Sequence, residues 1–161
     1  AMGIVLASAA LCFAGLLNAS PVSAQKATPA QIIRMTEVAR DTCISTFPSY
    51  RGLEKRLLEK KGLSQDSLGT WRGPATIVVL RKGKSSVPDC EVWMAFDSKT
   101  RDVSDALQTS LPRLGVDVKG ATRRGIRIEA HFQAGGANGT IRTEPMSGRT
   151  PKIVVSSGLG S

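Results

Sequence analysis

Cys43 and Cys90 sit on two segments of different periodicity, and a bond between them would fix how a helix lies against a sheet. Up to Cys43, the residues Ile32, Met35, Val38, Ala39, Thr42 and Cys43 follow helical spacing, while Arg34, Glu37 and Arg40 take the opposite side. Cys90 opens the run CEVWMAF, where Cys90, Val92, Met94 and Phe96 share one strand face and Glu91, Trp93 and Ala95 the other. Both sulfurs therefore point toward apolar neighbours. Zinc would want four ligands, but the chain has one histidine and no C-x-x-C pair. A catalytic thiol would want a base nearby and would not stay reduced in an oxidising compartment. The expectation is a Cys43–Cys90 disulfide.

The compartment is read from the N-terminus. Residues 1–25 carry no charge, Ile4 to Leu17 are almost entirely apolar or small, and Asn18, Pro21 and the small-x-small ending Val22-Ser23-Ala24 follow. This is the pattern of a secretory signal peptide over residues 1–24. No Lys or Arg precedes the run, so the basic n-region is expected to be truncated. A membrane span is disfavoured, because the run falls short of roughly 18 apolar residues. Cys12 lies inside it, but Leu11 is not the small residue that a lipid-attachment cysteine requires. Removing residues 1–24 leaves an even pair of cysteines in an exported chain, which favours the disulfide. The expected location is periplasmic or secreted.

Residues 25–161 are one domain's worth of chain. Aromatics are only 4% of the sequence, so the core must come from Leu, Ile, Val and Met. All 22 basic and 13 acidic residues lie beyond residue 25, and the exported part keeps the full +9. That charge speaks to partners and solubility rather than to fold.

Thr28-Pro29-Ala30-Gln31 reads as a capping box with proline at the first helical position, and Pro48 closes the helix. A second, amphipathic helix is expected in SYRGLEKRLLEKKG, with Leu53, Leu57 and Leu58 as its apolar side and Gly62 as its stop. Its basic surface is interrupted by Glu54 and Glu59, which is the pattern of a solvated face. Trp71 to Arg81 reads as a central strand, Lys82 to Ser85 as a turn, and Cys90 to Phe96 as the returning strand. Ser98 or Thr100 is expected to start a third helix that carries Val103, Ala106, Leu107, Leu111 and Leu114. Arg124 to Gln133 alternates, with Ile126, Ile128, Ala130 and Phe132 inward and Arg127, Glu129 and His131 outward. Gly135-Gly136-Ala137-Asn138-Gly139 reads as a turn with Asn138-Gly139 as its strongest hairpin signal, and strands around 140–144 and 152–156 complete the chain. The predicted fold is α+β: a mostly antiparallel sheet of about five strands with two or three helices on one face.

The usual catalytic constellations are missing. His131 is the only histidine, no G-x-S-x-G elbow occurs, and the glycine run 135–139 lacks the Lys-Ser/Thr of a phosphate-binding loop. No cofactor or metal is expected, and nothing points to specific nucleic-acid recognition. What remains is the polar face of the sheet, where Trp93, Arg127, His131 and Arg142 fall on outward positions. Aromatic stacking and bidentate guanidinium pairing are how such groups hold acidic sugars. The sequence therefore points to a basic, non-catalytic envelope protein whose partner is an anionic glycan, a lipid headgroup or another envelope protein. The alternative is a small hydrolase or transferase acting on an envelope polymer.

Export with cleavage after Ala24 predicts a mature protein that begins at Gln25. Intact mass of the exported species checks this, and an uncleaved chain held in the membrane fraction would contradict it.

Overall fold

The computed structural model describes residues 25–146 and 150–158, with the backbone alone of residues 60 and 61. The expected signal peptide, its cleavage site and Cys12 lie outside the described residues.

Helix α1, Pro29–Val38, begins as its sequence dictates. The Gln31 amide donates to Thr28 Oγ1 at 3.2 Å, and the Thr28 amide donates to Gln31 Oε1 at 2.8 Å. The helix continues as wider π-helical turns over Ala39–Ile44. There Thr42 Oγ1 donates to the Val38 carbonyl, and Thr46 Oγ1 and Ser45 Oγ donate to the carbonyls of Thr42 and Asp41. Hydroxyls that bond four residues back compete for helix carbonyls and deform the ladder. Helix α2 spans Leu53–Lys61 and stops at Gly62, which takes the left-handed conformation at φ 64°. Helix α3 spans Thr100–Ser110, followed by a 3₁₀ turn over Leu111–Arg113.

Eight antiparallel strands form one sheet: β1 Ser64–Gln65, β2 Trp71–Arg72, β3 Thr76–Arg81, β4 Asp89–Met94, β5 Asp117–Arg124, β6 Arg127–Ala134, β7 Ala137–Glu144 and β8 Lys152–Ser157. Their spatial order is β1-β2-β3-β4-β8-β7-β6-β5. Helix α3 carries the chain from β4 across one face to the far edge at β5, and a meander of hairpins returns it to β4. The final strand β8 thus fits between β4 and β7. On the helix-covered face the core is built from Met35, Val38, Leu57, Val103 and Leu107 of the helices. They meet Val78, Val92, Ile153, Ile141, Ile128 and Phe132 of the sheet. Two hydroxyls cross this interior: Ser104 Oγ lies 2.7 Å from Thr143 Oγ1 and donates to the Ile126 carbonyl at 2.6 Å. Cys43 and Cys90 are fully buried and form the disulfide, with Cα atoms 5.7 Å apart.

The α+β class is as the sequence indicates, but the sheet has eight strands rather than about five. Gly73 and Pro74 break the expected strand 71–81 into β2 and β3, while β1 and β5 are additional. β5 was hidden because DVKGATRR is polar and nearly all exposed, as an edge strand with a bulge at Val118/Gly120 can be. β3 is not buried on both sides. β2 pairs only with Ile77 and Val78, so Leu80 beyond them is exposed. Leu58 is 57% exposed rather than part of the α2 core side. Ile126 is exposed as well, because it sits in the two-residue turn Gly125-Ile126 that joins β5 to β6. Helix α3 begins at Thr100, one of the two expected starts, with Lys99 in the N-cap position.

Within the expected turn 135–139, Asn138-Gly139 already belongs to β7, and the two turn residues are Gly135-Gly136. Both glycines have positive φ, 57° and 75°, as a two-residue turn matched to the strand twist requires. Gly139 has a different reason to be glycine. It pairs with Phe132, and a Cβ there would lie 2.3 Å from the phenyl Cζ.

The cysteines are 47 residues apart in the chain. In the chain-entropy model that loop is worth about 4 kcal/mol. Replacing both cysteines by alanine should lower the unfolding free energy by about that amount, measured by urea denaturation. A loss below about 1 kcal/mol would show that the noncovalent core alone sets the stability.

Candidate functional site

Side chains on the second sheet face line up in rows set by the strand register. One row runs Trp93, Lys152, Glu144 from β4 through β8 to β7, and the next runs Glu91, Val154, Arg142, Glu129 from β4 to β6. A third contains Ser156, Thr140 and His131. In the described residues all helices pack on the opposite face, yet the middle of this one is closed. Val154 is 1% exposed and Glu91 5%. Val154 is flanked in register by Glu91 and Arg142, and long side chains standing on adjacent strands shield the centre.

Glu91 is the hub. Its Oε2 accepts from Arg81 Nε at 3.0 Å and from the Trp93 indole nitrogen at 2.8 Å, and its Oε1 accepts from Lys152 Nζ at 2.7 Å. A carboxylate on a closed sheet face is tolerable only with such partners. The same three groups stack: the Arg81 guanidinium carbon lies 5.1 Å from the Trp93 ring centroid and Lys152 Nζ lies 5.9 Å from it. Lys152 also reaches Glu144 at 3.4 Å, and Glu144 accepts from Arg142 Nε at 2.6 Å. Burial pushes the Glu144 carboxyl up, but the Arg142 hydrogen bond and the charges of Arg142 and Lys152 outweigh it and hold the group below its usual range.

Two grooves flank this network. The first, about 420 Å³, lies along β5, β6 and β7 and is lined by Thr122, Arg124, Arg127, Glu129, His131, Arg142 and Glu144 among others. Arg124 and Arg127 are directly paired across the end of the β5–β6 hairpin, which places two basic residues side by side on this face, and both line the groove. Neither has an ion-pair partner among the described residues. His131 stands 3.7 Å from Glu129 and its side chain is 62% exposed. The second groove, about 400 Å³, lies on the other side of Arg142, between β7, β8 and the 82–88 loop. Asp89 opens into it.

The structure brings three of the four sequence-derived candidates, Arg127, His131 and Arg142, around the first groove. Trp93 shares their face but stands on β4, three strands from β6, or about 14 Å across the sheet at the usual strand spacing. The guanidinium against its ring is that of Arg81. Sequence reasoning did not single out Arg124, Arg81, Glu91, Lys152 or Asp89. Alternation put Glu91 on Trp93's side, but nothing in the sequence indicated that its carboxylate would be enclosed. Among the described residues no three His, Cys, Asp or Glu side chains converge to hold a metal, and no helix is long and apolar enough to cross a membrane.

Glu91→Ala should destabilise the protein by about 3 kcal/mol, since it leaves Lys152 and the indole N–H facing a closed surface without an acceptor. Arg81→Ala should cost under about 1 kcal/mol, because that side chain is half exposed. Chemical denaturation of the two variants checks the order, and equal losses would contradict it. No protein-family model matches the chain, and no curated protein or solved structure does either. The reading of this face rests on its own chemistry.

Proposed function

We propose that the protein is an exported, non-catalytic binding or accessory protein of the cell envelope that holds an anionic partner on the helix-free face of its sheet. One observation carries this reading. Most charges on that face are matched, Glu91 with Arg81 and Lys152, Glu144 with Arg142 and Lys152, but Arg124 and Arg127 stand together with no ion-pair partner among the described residues. Two adjacent guanidiniums repel each other, and an anion lying across both relieves that repulsion while making charge-assisted hydrogen bonds. Arg142 and His131 line the same groove. The +9 charge of the chain adds a general attraction for polyanions. The disulfide suits an oxidising compartment outside the cytoplasm, where anionic glycans, lipid headgroups and envelope proteins are met.

The second reading, a small hydrolase or transferase acting on an envelope polymer, draws on a different observation. Asp89 and Glu144 line one groove and their carboxyls are shifted in opposite directions, as in an acid–base pair. Against it, Glu144 is already bound by Arg142 and Lys152. Release of reducing ends from an envelope glycan by the wild type, abolished in Asp89→Asn, would establish turnover.

For the binding reading, affinity for a polyanion such as polyphosphate should fall steeply between low and physiological salt, because exposed charges are screened within about 8 Å. Arg124→Ala with Arg127→Ala should weaken it about tenfold, or about 1.4 kcal/mol. Lys55→Ala on α2 should change it less than twofold, since charge there is diffuse. Equal effects of the two sets would mean that only net charge is read.

A further inference from the structure

We propose that the groove between β7, β8 and the 82–88 loop is a sugar subsite, in which Asp89 accepts a pair of vicinal hydroxyls from an acidic glycan. This rests on the anion-binding reading of the same face and names the class of ligand.

Asp89 differs from every other carboxylate on that face. Glu91, Glu144 and Glu129 each have a cationic or histidine partner, whereas Asp89 makes no hydrogen bond or ion pair among the described residues. It is nonetheless half-buried at the start of β4, and the loop is shaped around it. A Cβ at Gly83 would lie 2.7 Å from Asp89 Oδ1, so a glycine is what lets the loop backbone approach the carboxylate. Around it the groove presents the hydroxyl side chains Ser85, Thr140, Ser156 and Ser157, two cations, Lys84 and Arg142, and the Glu144 carboxylate, which Arg142 and Lys152 already pair. Its volume of about 400 Å³ is that of a small-molecule site, which commonly falls within about 300–1,000 Å³.

The chemistry selects among ligands. An unpartnered carboxylate needs donors, and an ammonium would supply them, but Glu144 is already paired with Arg142 and Lys152, and Lys84 stands in the same groove and repels a cation. Neutral hydroxyl donors meet no such repulsion, and two on adjacent carbons match the two oxygens of a carboxylate. Lys84 can then take an acidic substituent on the same or the next ring, with Arg142, already held by Glu144 and Ser156, adding its field, and the hydroxyl lining takes the remaining polar edge. Arg142 borders this groove and the Arg124–Arg127 groove alike, so one polyanionic chain can run across both.

The carboxylate is also a burden to the fold. Burial raises the Asp89 pKa. Arg142 and Lys152 counter that shift, Glu91 and Glu144 reinforce it, and Lys84 is a further charge beside it. A carboxyl with a folded pKa above its unfolded one loses stability as pH rises through that window, so the full penalty is present at neutral pH. A ligand that donates to Asp89 removes it.

The test uses the full exported protein and oligogalacturonate, whose rings carry a carboxylate and a free vicinal diol. A second sample is oxidised with periodate and reduced with borohydride, which opens the diol and keeps the charge. Polyphosphate serves as an anion with no diol. Asp89→Asn should weaken oligogalacturonate binding at least tenfold, because a site built for hydroxyls discriminates strongly once the pairing is lost. Diol cleavage should cost the wild type a similar factor and the variant nothing more. Polyphosphate binding should be unchanged or stronger in the variant, which has lost a repelling charge. The melting temperature of Asp89→Asn should exceed that of the wild type at neutral pH and converge with it below the ordinary aspartate range. If polyphosphate binds through Arg124 and Arg127 while neither diol cleavage nor Asp89→Asn matters, the subsite is overturned and the anion-binding reading stands. If neither polyanion binds, both fall. A loss of stability in Asp89→Asn at neutral pH would assign the carboxylate to the fold and overturn the subsite.

Discussion

Cys90 and Glu91 are consecutive residues of β4 whose side chains leave the strand in opposite directions, and each face of the sheet is organised around one of them. The sulfur of Cys90 ties β4 to the π-helical turns after α1. The carboxylate of Glu91 gathers Arg81 of β3, Trp93 of β4 itself and Lys152 of β8. Both interactions therefore bear on one strand near the middle of the sheet. A shift of β4 by one residue would expose the sulfur and drive the carboxylate into the core, so its register is specified by two independent penalties.

The same strand makes the second face a product of the whole chain. β8 is last in chain order among the described strands, yet it supplies Lys152, Val154 and Ser156 to the centre of the face, between β4 and β7. Lys152 joins the Glu91 hub to Glu144, and Ser156 accepts from Arg142 Nη1 at 2.6 Å. Before β8 docks, the β3–β4 hairpin and the β5–β7 meander are two separate sets of charged edges. Pairings this distant in sequence are formed late and slowly, because loop-closure entropy precedes any gain from contact. The candidate site thus exists only in the completed fold. Removing the tie at Cys43 or the hub at Glu91 would disturb it from opposite sides.

What the sequence made legible follows from the range of the interactions involved. The α1 capping box is local, and Thr28 and Gln31 declare it. The disulfide is not local, but two periodicities and the even pair of cysteines beyond residue 24 suffice to indicate it. The alternation of β6 placed Arg127 and His131 on one face because a strand's period is independent of its neighbours. Strand number was not legible, because β1 and β2 are only two residues long and β5 is a polar edge with a bulge. β1 and β5 exist by pairing rather than by burial. Asn138-Gly139 resembles a turn by composition, but the Phe132 ring needs the space at Gly139, and Gly135-Gly136 can turn as well. The candidate site was legible as a face and not as a constellation. Alternation says which way Trp93 and Arg142 point, but strand order decides that β8 lies between them.

That separation changes how the face should be understood. A tryptophan next to guanidiniums suggests an open stacking platform, whereas Trp93 donates its indole N–H to Glu91 and has Arg81 across its ring. Its role is bound up with closing the face over a buried charge. Such a closed, charge-matched centre fixes the positions of the groups at its margins. Arg142 is held from two sides, by Glu144 and by Ser156, so its guanidinium is set between the two grooves before any ligand arrives. Preorganised charge of this kind binds with less lost side-chain entropy than free surface lysines do. The groups without an ion-pair partner among the described residues, Arg124 and Arg127 on one side and Asp89 on the other, stand at the edges of this network, where the proposed partner would complete their pairing without undoing any other.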